Sequence, residues 1–119
     1  MLNIMGLKSR SVISLLLDIP DVRVAGVHMN EHGDYIIIVK SLQGSTICQY
    51  CGRKITKFHG HGRWIELRHL SILDCRVYIH LRPEQFKCPQ CDDKMTTQTL
   101  DWYETKSPHT KAYDHHLML

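Results

Sequence analysis

Two cysteine pairs of identical spacing constrain this chain more than any other feature of its sequence. Each pair encloses two residues, and 36 residues separate the pairs; the four cysteines are Cys48, Cys51, Cys88 and Cys91. Two residues between thiolates let one tight turn present both sulfurs to a single ion, and Gly52 relieves the backbone after the first pair. Two such turns complete a tetrahedral shell of four thiolates. The pattern therefore predicts a structural zinc site with no open ligand position.

The same residues leave other chemistries open. A cysteine pair followed by glycine also suits a rubredoxin-like iron centre, and buried free cysteines or a redox dithiol would need no metal. The fifth cysteine, Cys75, falls on the apolar face of a predicted strand, so we expect it in the core. His59 and His61 are alternative metal ligands, but a polar loop or a phosphate contact beside Arg63 fits them better.

Length and cysteine usage indicate the compartment. A chain of 119 residues is sufficient for one small domain, and a structural metal is a common supplement to a core of that size. No apolar run is long enough to span a membrane, and the start lacks the order of charges that a signal peptide needs. We therefore expect a cytoplasmic protein, in which thiols stay reduced and serve metal binding rather than disulfides.

Positive charge is concentrated between the two cysteine pairs. Residues 48–91 carry eight Lys or Arg and three Asp or Glu, whereas residues 1–47 carry four of each and residues 92–119 carry three and five. Such a field attracts nucleic acid, although a solvated basic face without a partner would look the same. We expect DNA affinity to reside in the basic residues that follow the first pair: Arg53, Lys54, Lys57, Arg63 and Arg68.

Periodicity predicts helices at both ends of the chain and strands between them. Apolar residues at helical spacing predict a helix over 4–18 that ends at Pro20. Ser107 followed by Pro108 predicts the start of a second helix that continues to the last residue. A turn-rich segment at 30–34 predicts a hairpin. Alternating or β-branched runs predict strands near residues 22–27, 35–39, 64–67 and 75–81.

These elements predict an α+β fold class: a small zinc-ribbon-like antiparallel β domain with an N-terminal helix and the start of a C-terminal helix. We divide the chain into a helix and hairpin at 1–47, a four-cysteine zinc-binding β domain at 48–95, and a connector with a truncated first helix of a helix-turn-helix at 96–119. No glycine-rich phosphate loop, nucleophile motif or paired acid is present, so we expect no enzyme activity and no small-molecule substrate.

Several motifs together resemble the N-terminal part of bacterial insertion-sequence transposases of the ISL-three family, which begins with a zinc finger. The resemblance covers essentially the whole chain. The segments that carry it are the opening at 17–24, the first cysteine turn at 48–52, the basic stretch at 63–70, the second cysteine turn at 86–91, and a connector at 96–98, 102–103 and 107–113.

The resemblance implies that the four paired cysteines bind zinc and that the domain binds the terminal inverted repeats of the element as double-stranded DNA. It also implies that a complete helix-turn-helix and a catalytic domain with an acidic triad would follow. This sequence stops within the first of those helices, so we expect a truncated reading frame or an excised domain that does not transpose DNA alone. Self-association is left open.

Two departures from the family pattern limit the resemblance. Glu84 and Gln85 replace the paired arginines that usually precede the second cysteine turn, and this weakens the case for phosphate contact there. The segment 69–71 reads His-Leu-Ser where the family often has Asp-Leu-Pro. Two other functions remain as alternatives: a zinc-stabilised protein-interaction domain and a rubredoxin-like iron electron carrier.

Overall fold

The computed structural model describes the backbone of residues 17–118 and the side chains of residues 17–115. Nine strands dominate the described chain, together with one α-helix and a short 3-10 helix at Pro89–Cys91. In chain order the elements are β1 Val22–Met29, β2 Tyr35–Ser41, β3 Thr46–Ile47, β4 Lys54–Ile55, β5 Lys57–His61, β6 Ile65–Ile72, β7 Cys75–Leu81, β8 Glu84–Cys88, β9 Lys94–Thr97 and α1 Lys111–Met118.

The predicted α+β class is wrong, because the described chain is mostly β-structure. Its one α-helix, α1, has 8 residues and lies at the C-terminal end. Nearly all of the helix predicted over 4–18 lies outside the described residues, and no N-terminal helix contributes to the architecture that the structure describes. None of the helices described within 17–118 is long and apolar enough to cross a membrane.

The larger of the three sheets has the strand order β1-β2-β7-β6. β1 and β6 pair antiparallel with their neighbours, but β2 and β7 run parallel, with Ile37 opposite Ile79. The predicted antiparallel arrangement therefore fails at the centre of this sheet, while the other strand pairs of the described chain are antiparallel. Because β2 precedes and β7 follows residue 47, the sheet extends across the boundary placed there from the sequence.

The hairpin predicted at 30–34 is confirmed as the connection between β1 and β2. The side-chain oxygen of Asn30 accepts hydrogen bonds from the backbone amides of His32 and Asp34, both at 2.9 Å. Gly33 has a φ of 80°, a left-handed conformation that glycine adopts without steric cost. These local bonds fix the turn and therefore the register of the two strands.

Most of the apolar burial lies on one face of the larger sheet. The alternation predicted for β7 is confirmed, since Val77, Ile79 and Leu81 are all 0% exposed. Cys75 begins the same strand but is only partly buried, so its predicted place in the core is only partly correct. The complete cluster consists of Leu17, Val24, Ile37, Val39, Leu67, Val77, Ile79, Leu81, Leu100, Trp102 and Tyr103.

The segment interpreted as a connector packs against this sheet. Leu100, Trp102 and Tyr103 are all buried in its core. The backbone amide of Thr110 donates to the carbonyl of Arg68 at 2.9 Å, which attaches the start of α1 to the edge strand β6. The Thr110 hydroxyl accepts from the amide of Tyr113, so Thr110, and not Ser107, caps a helix that begins at Lys111, three residues after the start predicted at Pro108.

The remaining strands form the ribbon, which we define as residues 46–61 and 84–97. It contains the pair β3-β4 and the three-stranded sheet β5-β8-β9. Its buried cluster is small and consists of Cys48, Ile55, Phe86 and Cys88, with Cys91 packed against it. Half of that cluster is thiol, so the cysteine turns lie at the centre of the ribbon.

Candidate metal centre

The first cysteine turn is held by its own backbone. The amide of Gly52 donates to the carbonyl of Cys48 at 2.9 Å, and the amide of Cys48 donates to the carbonyl of Arg53 at 2.8 Å. Gly52 has a φ of 74°, which reverses the chain directly after Cys51. The turn therefore directs both sulfurs toward the same side, where the second pair lies.

The second turn repeats this geometry with different residues. Cys88 ends β8, and the 3-10 helix Pro89–Cys91 brings the next cysteine back beside it. The amide of Asp93 donates to the carbonyl of Cys88 at 3.0 Å. Asp92 occupies the position that corresponds to Gly52 and has a φ of 55°. A left-handed residue thus follows each cysteine pair, and aspartate is among the residues other than glycine that tolerate this conformation.

The two turns bring the four sulfurs into one cluster. All four lie within 4.8 Å of one another, with 3.9 Å between the sulfurs of Cys48 and Cys91 and 3.6 Å between those of Cys51 and Cys88. A tetrahedral zinc with bonds of about 2.3 Å requires sulfurs about 3.8 Å apart. The observed spacing fits a tetrahedral metal site and requires little rearrangement on binding.

The electrostatics of the thiols also favour a bound cation. Burial opposes ionisation of Cys48, but the backbone amides of Tyr50 and Cys51 donate toward its sulfur and bring its pKa down to about 6. Burial and the neighbouring sulfurs raise the pKa of Cys91 to about 12, and burial together with the sulfur of Cys51 raises the pKa of Cys88. The thiolate of Cys48 therefore forms readily, whereas Cys88 and Cys91 lose their protons when a metal ion supplies compensating charge.

The two histidines that the sequence offered as ligands are not in this cluster. The group of potential metal ligands found among the described side chains contains the four cysteines alone. The ring of His61 instead packs edge-on against Phe58, with 5.4 Å between the ring centroids. His59 lies on the same strand and is exposed.

Four of the five basic residues predicted to contact DNA lie on or beside the ribbon. Arg53, Lys54, Lys57 and Arg63 are all exposed. The ammonium group of Lys57 lies 3.5 Å from the carboxylate of Asp93, and both side chains are more than half exposed, so this ion pair is weak. These four side chains are free to reorient toward a polyanion.

Arg68 differs from the other four, because it takes part in internal contacts of the larger sheet. Its guanidinium carbon lies 5.5 Å from the ring centre of Tyr78 and 5.1 Å from that of Tyr113. Its Nε donates to the carbonyl of His69 at 3.3 Å. Arg68 therefore connects β6 with α1, and phosphate contact would compete with these interactions.

Sequence reasoning missed the buried imidazole of His69, which is 1% exposed. Its Nδ1 lies 2.8 Å from the hydroxyl of Thr110, and its Nε2 lies 3.1 Å from the carbonyl of Leu17. Burial lowers the pKa of His69, which keeps the ring neutral, although the contact with Leu17 acts in the opposite direction. Its position in an alternating run of β6, between Leu67 and Ser71, is the signal that could have indicated burial.

Two cysteine turns that face each other across short strands define the class of zinc-ribbon domains. Residues 45–91 match the family model of the zinc-finger of transposase IS204/IS1001/IS1096/IS1165. The match includes both cysteine turns and the basic segment between them, and it covers less than half of the chain. It confirms the resemblance to ISL-three transposases over those residues. No curated protein and no solved structure matches the chain.

Proposed function

We propose that this protein is the DNA-recognition module of an insertion-sequence transposase, that it holds one zinc ion through its four paired cysteines, and that it contributes to binding the terminal inverted repeats of the element. The observation that carries the proposal is the tetrahedral spacing of the sulfurs within a region that matches a transposase zinc finger. We assign no catalytic step to it, because four thiolates leave no ligand position for water or substrate. Such a site needs reduced thiols, which fits the cytoplasm.

The ion supports DNA binding because it fixes the backbone from which the basic side chains of the ribbon extend. Arg53 accepts a backbone hydrogen bond from Cys48, so its position depends directly on the first cysteine turn. Lys54 follows in β4, and Lys57 begins β5, which pairs with the strand that ends at Cys88. Side chains on a rigid base lose less conformational entropy when they bind phosphates than side chains on a mobile loop.

Elemental analysis and a salt titration test the two halves of this proposal. We expect one zinc per chain; iron, or no metal with an unchanged fold, would contradict it. We expect duplex DNA that carries the terminal repeats to bind with an affinity that falls steeply as salt rises. Failure to bind at low salt, together with a stable dimer, would favour the protein-interaction alternative.

A charge-matched pair of variants then identifies the surface. Alanine at Lys54, Lys57 and Arg63 together should lower the slope of log affinity against log salt by about three, at about 0.9 per lost phosphate contact. The control replaces the three basic residues of the net-negative segment 92–119, which are Lys94, Lys106 and Lys111. Equal losses in both variants would indicate that net charge, rather than this surface, determines binding.

A further inference from the structure

A groove of about 270 Å³ lies between the larger sheet and the ribbon. The charged and aromatic side chains that line it come from the larger sheet, from the ribbon and from the segments that join them: Arg23, Lys40, His61, Trp64, Arg82 and Glu84. Glu84 is the single carboxylate among the residues that line it, against three permanent cations. This charge balance favours an anionic partner.

Two of the cations lie directly opposite each other. Arg23 of β1 and Lys40 of β2 are paired in the sheet register, and both are exposed. Like charges at such a position destabilise a strand pair. Among the ion pairs found between described side chains, none involves Arg23, Lys40 or Arg82. An anion bound between Arg23 and Lys40 would relieve this repulsion.

The groove also presents an aromatic surface. The side chain of Trp64 is 59% exposed, although burial of an indole is strongly favourable. The guanidinium carbon of Arg82 lies 5.3 Å from the ring centre of Trp64, and its Nε contacts the carbonyl of Gly62 at 3.5 Å. Arg82 thus holds the indole from one side while much of the ring remains accessible to solvent.

We propose that this groove binds an unpaired stretch of nucleic acid, with phosphates at Arg23 and Lys40 and a base stacked on Trp64. Cations beside an exposed aromatic ring are the combination that recognises single strands, because unpaired bases offer a free face for stacking. The faces of paired bases are covered by their neighbours in a duplex, and a groove of this volume is small even among pockets for small ligands. None of the five basic residues proposed for duplex binding lines this groove.

Tryptophan fluorescence of the metal-loaded chain tests the inference. Trp102 is 8% exposed, so quenching by an added strand reports on Trp64. We expect an oligothymidylate of eight nucleotides to quench the emission, and polyglutamate of equal charge to leave it unchanged. Equal quenching by polyglutamate, or no quenching by the oligonucleotide at low salt, would overturn the proposal. Competition by inorganic phosphate at the same concentration of phosphate groups would also overturn it, because a base would then add nothing.

Variants separate stacking from charge. Trp64→Ala should weaken oligothymidylate binding, measured by anisotropy of a labelled strand, by about 5- to 150-fold, which corresponds to the stacking of one base. Alanine at both Arg23 and Lys40 should lower the salt slope by about 1.4, at about 0.7 per phosphate of a single strand. Unchanged affinity in Trp64→Ala would overturn the proposal.

The chain supplies a matched control for the aromatic pair. Tyr50 is 56% exposed, and the ammonium of Lys94 lies 5.0 Å from its ring centre, but the pair lies outside the groove. Tyr50→Ala should leave single-strand affinity unchanged, and a loss equal to that of Trp64→Ala would overturn the assignment to the groove. Duplex binding without single-strand binding contradicts this inference alone, whereas the reverse contradicts the proposed function alone.

Discussion

The larger sheet buries eleven residues in one cluster, all of them apolar or aromatic, whereas the cluster of the ribbon contains four residues, two of them cysteines. At about 1.5–3 kcal/mol for each fully buried large apolar side chain, the sheet can offset the entropy of ordering its strands by burial. The buried apolar side chains of the ribbon, apart from its thiols, are those of Ile55 and Phe86. The comparison teaches that one chain uses two sources of stability, apolar burial in the sheet and metal coordination in the ribbon.

Removal of the metal should produce the largest effect, and it should be confined to the ribbon. Structural zinc contributes about 10–16 kcal/mol of apparent binding free energy in small domains. We expect a chelator, or Cys88→Ser, to abolish hydrogen-exchange protection at Phe86 while protection at Ile79 persists. Cys75→Ser serves as the control, because Cys75 lies outside the sulfur cluster. If hydrogen-exchange protection at Phe86 and at Ile79 is lost at the same chelator concentration, the ribbon and the larger sheet unfold as one unit.

A cavity in the sheet should produce the complementary effect. Leu67 is 0% exposed, so Leu67→Ala should lower the free energy of unfolding of the sheet by about 2–5 kcal/mol. Urea unfolding followed by the fluorescence of the buried Trp102 measures this change. The zinc content should remain one per chain under native conditions. Leu73→Ala is the control, since Leu73 is 83% exposed; an equal loss there would contradict the assignment of the core.

Within the ribbon, the two cysteine turns should differ in their response to substitution of the left-handed residue that follows each pair. Gly52→Ala places a side chain at a φ of 74°, and this should cost about 1–2 kcal/mol, equivalent to about 5- to 30-fold in metal affinity. Asp92→Gly removes a side chain from the corresponding position, where φ is 55°, and should change affinity much less or raise it. Competition against a chromophoric chelator measures both. Equal losses in the two variants would contradict the correspondence of the turns.

The smallest effect should be a decrease in the stability of the larger sheet at acidic pH. Burial holds the pKa of His69 in the folded protein below its ordinary value of 6.5. The unfolded chain therefore binds the proton more readily, so the stabilisation is complete above pH 6.5 and declines as the pH falls below it. Unfolding of the sheet measured between pH 8 and pH 5 should show this decline, and His69→Gln should reduce it. Stability that rises toward acid would contradict the assignment of a neutral buried ring.

The metal site was predictable from the sequence because its information is local. Cys-x-x-Cys determines the turn, and two copies determine the shell, so the four cysteines could be grouped before any strand was placed. The bounds predicted for β7, residues 75–81, match the structure because strict alternation reflects one buried face. The hairpin was equally predictable from the sequence, because Asn30 supplies the hydrogen bonds and Gly33 the backbone conformation that the turn requires.

The packing of the C-terminal segment was not predictable in the same way. Residues 92–106 are mostly polar, and this composition predicts an irregular connecting segment. The structure buries Gln98 to 3% exposure and satisfies its amide through the carbonyl of Gln43 and the backbone amide of Glu84. A buried polar group of this kind gives no apolar signal, because its compensation comes from distant residues. The parallel pairing of β2 with β7 was also not predictable, because it joins strands that lie far apart along the chain. The DNA-contact residues remain predictions.

The parallel pairing of β2 with β7 also sets the order in which the chain can assemble. Residues 42–74 must form a closed loop before the two strands meet, and contacts so distant along the chain slow folding. The first cysteine turn lies inside that loop, and Cys88 follows the end of β7 by seven residues. A metal ion bound by both cysteine turns would shorten the conformational search for this pairing, because it would hold β7 close to β2. A metal ion held at this site would thereby speed the folding of a sheet to which its ligands do not belong.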